Sequence, residues 1–161
     1  MRIALIADAY PPLRSSGAVQ LRDLSQEFVR QGHEITVIVP SSQMDSPWML
    51  EVLEGVQILR VKAMQTRDTG YVRRTFAELA LSYFVRKGLQ ASPLRNTKWD
   101  AVLWYSPTIF FGRAVGWLKK KSACPSYLII RDIFPEWAVD LGLMSRGPVY
   151  RFFKFFERLQ Y

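Results

Sequence analysis

Five short apolar runs, separated by helix-length amphipathic segments, leave this chain few ways to fold. The runs are Ile3–Ala7, Glu34–Val39, Val56–Val61, Ala101–Tyr105 and Tyr127–Ile130. The spacing of apolar residues predicts helices over Gly17–Arg30, Tyr71–Leu89 and Pro107–Lys121, with Gly32 ending the first helix and Pro40 stopping the second strand. A polar stretch containing Pro47 leads into the third strand. Strands that alternate with helices join through right-handed crossovers into a parallel sheet covered on both faces. The expected fold is therefore α/β, a Rossmann-like doubly wound parallel sheet. With strand order 3-2-1-4-5, the first and fourth strands flank the switch point beyond which ligands bind. Asp8, Tyr10, Tyr105, Ser106, Arg131 and Asp132 are then expected to ring one crevice.

A chain of 161 residues that is 49% hydrophobic builds one domain with a substantial core. No apolar run reaches the roughly 18 to 20 residues of a spanning helix, and the first strand begins without a signal-peptide pattern. These features predict a cytoplasmic location outside the bilayer core. The one cysteine, Cys124, rules out an intrachain disulfide and a cysteine-cluster metal site. With His33 the sole histidine, no metal centre and no cofactor are expected. His33 falls at the opposite end of the sheet from the crevice, and Cys124 lacks the basic surroundings of a nucleophile.

The loop Asp8-Ala9-Tyr10-Pro11-Pro12-Leu13-Arg14-Ser15-Ser16-Gly17 joins the first strand to the first helix. Consecutive prolines end the strand, and Ser15, Ser16 and the bare backbone of Gly17 start a helix whose free N–H groups point back toward the strand end. That geometry suits a phosphate, and it equally suits an ordinary helix cap after a proline turn. The patterns G-x-G-x-x-G, G-x-x-x-x-G-K-[ST] and His-Glu-x-x-His are absent, which argues against a dehydrogenase, a P-loop NTPase and a zincin.

The formal charge is +8, and its excess is concentrated between Arg60 and Lys98, where nine basic residues face only Asp68 and Glu78. Arg73, Arg74, Arg86 and Lys87 lie among aromatic and aliphatic residues, as in a helix resting on an anionic bilayer, or as in a solvated face above a core stripe. Nucleic acid is a third possible partner for this charge, without a helix-turn-helix, RNP or zinc-finger pattern to support it. The segment Pro148–Tyr161 is apolar around most of its circumference, with Phe152, Phe153, Phe155 and Phe156 between basic residues. It predicts a helix that needs a partner, and self-association into a homodimer is the expected outcome.

Three motifs occur in order: Asp8-Ala9-Tyr10-Pro11-Pro12 with Ser16-Gly17, then Gly32-His33-Glu34-Ile35-Thr36-Val37, then Arg131-Asp132-Ile133-Phe134-Pro135-Glu136-Trp137. Together they resemble the N-terminal half of GT-B glycosyltransferases, nearest to family 4 of the retaining nucleotide-sugar enzymes of bacterial O-antigen and capsule assembly. The resemblance implies that residues 1–161 are an acceptor-binding domain, with the nucleotide-sugar domain absent from this chain. The Glu-x7-Glu motif of that second half is missing here. It implies a nucleotide-sugar donor and a polyprenyl-diphosphate-linked saccharide acceptor, hexosyl or N-acetylhexosaminyl transfer, and a peripheral place on the inner face of the plasma membrane. This half alone is expected to be inactive.

The residues follow from that likeness. Ser16 and Gly17 stand where relatives hold the donor diphosphate, although the usual pair is Gly-Gly. Asp132 is the candidate catalytic group, orienting the acceptor hydroxyl, or else a helix cap. Asp8, Tyr10, Tyr105, Arg131 and Glu136 are candidate acceptor contacts, Glu136 also fitting a first-turn partner of the helix dipole. Trp137 beside Phe134 fits a sugar platform or a packed aromatic pair. Outside the resemblance, a self-contained basic α/β module for nucleic acid or a protein partner remains the alternative.

Overall fold

The computed structural model describes residues 1–161. Its strands are β1 (Arg2–Ile6), β2 (Glu34–Ser41), β3 (Trp48–Leu53), β4 (Val56–Lys62), β5 (Ala101–Ser106) and β6 (Ser126–Ile130). Its helices are α1 (Ser16–Arg30), α2 (Tyr71–Leu79), α3 (Leu81–Ala91), α4 (Gly112–Ser122), α5 (Glu136–Asp140) and α6 (Pro148–Gln160), with a 3-10 turn at Pro93–Asn96. The six strands form one sheet in the order β3-β4-β2-β1-β5-β6. All pairings are parallel except β3 with β4. The five parallel strands reproduce the expected order, so the fold is the Rossmann-like one, with β1 and β5 flanking the switch point.

The sequence reading passes over β3. Glu54 and Gly55, at φ 52° and 82°, make a two-residue turn that folds Trp48–Leu53 back onto β4, with Leu53 opposite Val56. Both turn positions need positive φ, which glycine supplies without strain. As an edge strand β3 leaves Met49 and Val52 exposed, so its pattern lacks the continuous apolar run of the inner strands. The helix expected over Tyr71–Leu89 is two helices, breaking at Ala80, and the one expected from Pro107 starts only at Gly112.

Alternate residues of the inner strands feed two cores. Ala4, Ile6, Ile38, Leu59 and Val102 pack under α3 and α4, against Leu81, Val85, Leu89, Val115 and Leu118. Ile3, Leu5, Val37, Ile58 and Leu103 pack with Leu21, and Leu24 and Phe28 of α1 close over them. Cover on this second face thins toward β6, where Tyr127 is exposed, so the sheet is not equally covered on both faces. No helix is long and apolar enough to cross a membrane.

The aromatic C-terminal helix also differs from expectation, because much of it packs within its own domain. Phe156 meets Phe110 edge to face at 5.0 Å, and Phe153 meets Phe134 at 4.9 Å. Glu157 and Gln160 are buried, and Gln160 Nε2 donates to Ser106 Oγ at 2.8 Å. The inward stripe is thus Phe153, Phe156, Glu157 and Gln160, while Phe152 and Phe155 face outward.

Helix α3 lies so close to β4 that a β-carbon on Gly88 would sit 2.5 Å from Val61 Cβ. Since Val61 is fully buried, the strand has no room to retreat. Gly88→Ala is expected to lower unfolding free energy by about 1–3 kcal/mol through overpacking. Urea titration of parent and variant checks this; equal midpoints would show a slack α3–β4 contact.

Candidate functional site

Parallel strands deliver the loops that follow β1, β2, β4, β5 and β6 to one edge of the sheet, and the candidate residues converge there. Ser15 caps α1, its Oγ accepting from Ala18 N at 3.2 Å. Ser16 and Gly17 form the first turn of the helix. Arg131, just past β6, reaches across to this turn: its Nη1 donates to Gln20 Oε1 at 2.6 Å and its Nη2 approaches Ser16 Oγ at 3.5 Å. A guanidinium thus stands at the positive end of α1, and both favour an anion.

Gly17 is buried and faces a side chain. A β-carbon there would lie 3.0 Å from Tyr105 Oη and 3.2 Å from Tyr105 Cε1. Tyr105 is itself buried under α1, so it holds the start of the helix in place from beneath. Tyr10 is likewise a core residue, 2% exposed, and the same burial raises its phenol pKa. Tyr105 therefore lies beneath α1, off the crevice rim, whereas Tyr10, although buried, still lines the polar cleft on the far side of β1.

On the other side of β1, a cleft of about 460 Å³ opens between the ends of β1, β2 and β4. Asp8, Ser41, Ser42, Gln43, Arg60 and Arg67 are among its lining residues. Arg67 Nη2 stands 3.3 Å from Asp8 Oδ2, while Asp8 Oδ1 is buried without a hydrogen-bond partner. Burial raises the Asp8 pKa above its usual 3.8, and Arg67 opposes that rise. Glu78 of α2 adds a small further upward push; it receives Arg74 Nε at 2.7 Å and Thr108 Oγ1 at 3.3 Å. Arg60 is fixed by Glu51 at 2.7 Å and by the Pro11 carbonyl, so it braces the proline loop. Arg67, Gln20 and Arg60 are the residues that sequence reasoning missed at this edge; two of them were counted only as members of a basic run.

Asp132 is exposed and makes no hydrogen bond or ion pair, so it caps no helix. Glu136 accepts from Lys154 Nζ at 2.5 Å and from Tyr150 Oη at 2.8 Å. These bonds, Lys154 first, lower its pKa and tie α5 to α6, which makes Glu136 a tether between helices. His33 lies by the Met1 amino group at the far end of the sheet. Burial raises the Cys124 thiol pKa, keeping it protonated and unreactive. No group of histidine, cysteine or carboxylate side chains is arranged to hold a metal ion.

The basic segment is spread over several elements. Arg74 pairs with Glu78, Arg86 lies 5.4 Å over Trp117, Lys87 lies 5.8 Å from the Tyr83 ring, and Lys98 bonds the Lys121 carbonyl. Arg73 is exposed on α2.

No family model and no curated protein matches the chain. Among solved structures it is similar to the catalytic domain of starch synthase IV from Arabidopsis thaliana, determined bound to ADP and acarbose. The TM-score is 0.54 at 11% identity, over 80% of this chain and 33% of that one. The chain thus spans about a third of the length of that structure. A second similar structure is the C-terminal domain of PF1911 hydrogenase from Pyrococcus furiosus, at TM-score 0.48 and 14% identity, covering 80% of this chain and 89% of that one. The first likeness is one of fold, and it agrees with the Rossmann-like sheet described above.

Two outcomes test this geometry. Because folding raises the Asp8 pKa, its ionisation weakens the fold as pH climbs from 3.8 through the folded value. Asp8→Asn removes that penalty, so its stability relative to the parent should improve as pH rises over that range in urea titrations; a flat difference curve would place Asp8 in water. Gly17→Val should clash with Tyr105, and its penalty should shrink in a Tyr105→Ala background, giving a coupling of about 0.5–3 kcal/mol in a double-mutant cycle.

Proposed function

We propose that this chain is the acceptor-side half of a retaining glycosyltransferase of family 4 type. In this reading the enzyme moves a hexosyl or N-acetylhexosaminyl group from a nucleotide sugar to a polyprenyl-diphosphate-linked saccharide in O-antigen, lipopolysaccharide or related surface-polysaccharide assembly, at the cytoplasmic face of the membrane. The observation that carries it is the pairing, at one edge of the sheet, of a polar cleft with a helix start faced by a guanidinium. The free oxygen of Asp8 accepts a hydrogen bond from a sugar hydroxyl, while Arg67 donates to sugar or phosphate oxygens. The first-turn N–H groups at Ser16 and Gly17, with Arg131, oppose charge gathering on the departing diphosphate. Asp132, exposed and free of other partners, is the group assigned to orient the acceptor hydroxyl in this reading.

The basic residues favour this reading over a nucleic-acid module, because most of those between Arg60 and Lys98 are already engaged within the fold. The test is a nitrogen-15 NMR titration of the chain. A short-chain prenyl-diphosphate-linked N-acetylhexosamine should shift the amides of Asp8, Ser42 and Arg67. UDP-, GDP- or ADP-sugars should shift those of Ser16, Gly17 and Gln20. Asp8→Asn should weaken the first response and leave the second. If neither ligand perturbs either group, or a single-stranded oligonucleotide perturbs both more strongly, the reading fails.

A further inference from the structure

We propose that the amino-terminal end of the sheet carries a second binding site, for a small organic carboxylate. On the face packed under α3 the inner strands are apolar, as a covered parallel sheet requires, through Ala4, Ile6, Ile38, Leu59 and Val61. Their first residues break that rule. Arg2, Glu34, Thr36 and Gln57 stand on the same face, an even number of positions before those apolar residues. The register sets them in pairs, Arg2 opposite Glu34 and Thr36 opposite Gln57. Thr36 is only 4% exposed, and burying such a group costs stability unless it is bonded. Leu94, Thr97 and Trp99, from the connection after α3, and Val52 and Gly55, from the β3–β4 hairpin, complete a cavity of about 570 Å³ over this polar floor.

The bonds made within the floor leave donors over. Thr36 Oγ1 donates to Gln57 Oε1 at 2.8 Å, so Nε2 is the end of that amide left without a partner. Arg2 Nε donates to Glu34 Oε2 at 3.0 Å, and neither terminal nitrogen of the guanidinium is bonded. Trp99 is 2% exposed, and its Nε1 is buried with no partner. The carboxylates nearby are engaged, Glu34 by the Arg2 side chain and Asp100 by the Arg2 main-chain N–H at 2.6 Å. What the cavity lacks is an acceptor. A carboxylate brings one oxygen for the Arg2 guanidinium and one for the Gln57 amide, and a short aliphatic tail fits against Leu94 and Val52.

This cavity is at the opposite end of β1 and β2 from Asp8 and Ser41, so binding here succeeds or fails apart from saccharide binding in the cleft. The test is nitrogen-15 NMR of the chain titrated separately with isobutyrate, inorganic phosphate and isobutylamine. Isobutyrate should shift the Gln57 side-chain amide, the Thr97 amide and one of the five indole N–H signals, which Trp99→Phe identifies. Gln57→Glu keeps an acceptor for Thr36 while replacing the free donors with a carboxylate, and should weaken isobutyrate binding by about tenfold or more. Arg2→Gln should do the same with the circular dichroism unchanged, because Arg2 is exposed and its pair with Glu34 adds little to the fold. Glu34→Gln removes the competing charge beside Arg2 and should tighten binding, whereas Asp8→Asn should leave it as it was. Absence of these shifts, equal shifts with isobutylamine, tighter binding of phosphate than of isobutyrate, or parental affinity in Arg2→Gln would overturn the proposal.

Discussion

Parallel pairing of β1 with β2 on one side and β5 on the other is the constraint on which the rest of the molecule depends. The connection leaving β1 runs over one face as α1, whereas the connection leaving β5 runs over the opposite face as α4. Their loops must part where they leave the sheet, and a gap opens at that edge. Ser16, Gly17 and Arg131 sit on the rim of that gap, and Asp8 and Arg67 in the cleft beside it. The position of the site is thus a property of chain direction, and only its chemistry is a property of side chains.

What supports the rim is mostly apolar. Tyr105 fills the space under Gly17, so the start of α1 rests on a buried ring, and Tyr10 fills the core further along beneath the same helix, beside Ser25. A first turn held this way keeps its N–H groups aimed without help from a ligand, the preorganisation that electrostatic stabilisation of a developing anion requires. The cleft beside it is built differently. Asp8 is drawn into a partly buried position where its charge is opposed by desolvation and relieved chiefly by Arg67. A carboxylate oxygen left without a partner there has more to gain from an arriving hydroxyl than one already hydrated.

The parallel sheet order was legible because inner strands of such a sheet read as continuous apolar runs and helices as periodic ones. β3 was not, because an edge strand with one wet side carries no such run; its signal was the Glu54-Gly55 pair between two apolar stretches. The burial of Tyr10 and Tyr105 was hidden for another reason: a tyrosine at a strand end suits a crevice or a core equally until the facing helix is in place. In α6 the periodicity was visible but its phase was not. Four phenylalanines suggested the inward side, yet Glu157 and Gln160 are buried, Glu157 paired with Lys154 and the Gln160 amide nitrogen bonded to Ser106, while Phe152 and Phe155 turn outward.

That inward turn of α6 bears on the site as well. Helices α1 and α4 follow the two strands that flank the switch point, and either could present free N–H groups to an anion there. The start of α4 is already occupied: Ala114 N donates to Ser82 Oγ, and Gly112 stands so near the end of α6 that a β-carbon on it would fall 2.7 Å from the Leu159 carbonyl oxygen. The carbonyl-rich end of α6 thus meets the N–H-rich start of α4, an arrangement that favours both dipoles. With α4 closed by the fold itself, the start of α1, faced by Arg131, is the one of these two left open to a phosphate. The same helix that closes α4 turns Phe152 and Phe155 away from the core, so its inner face alone restricts where an anion can bind.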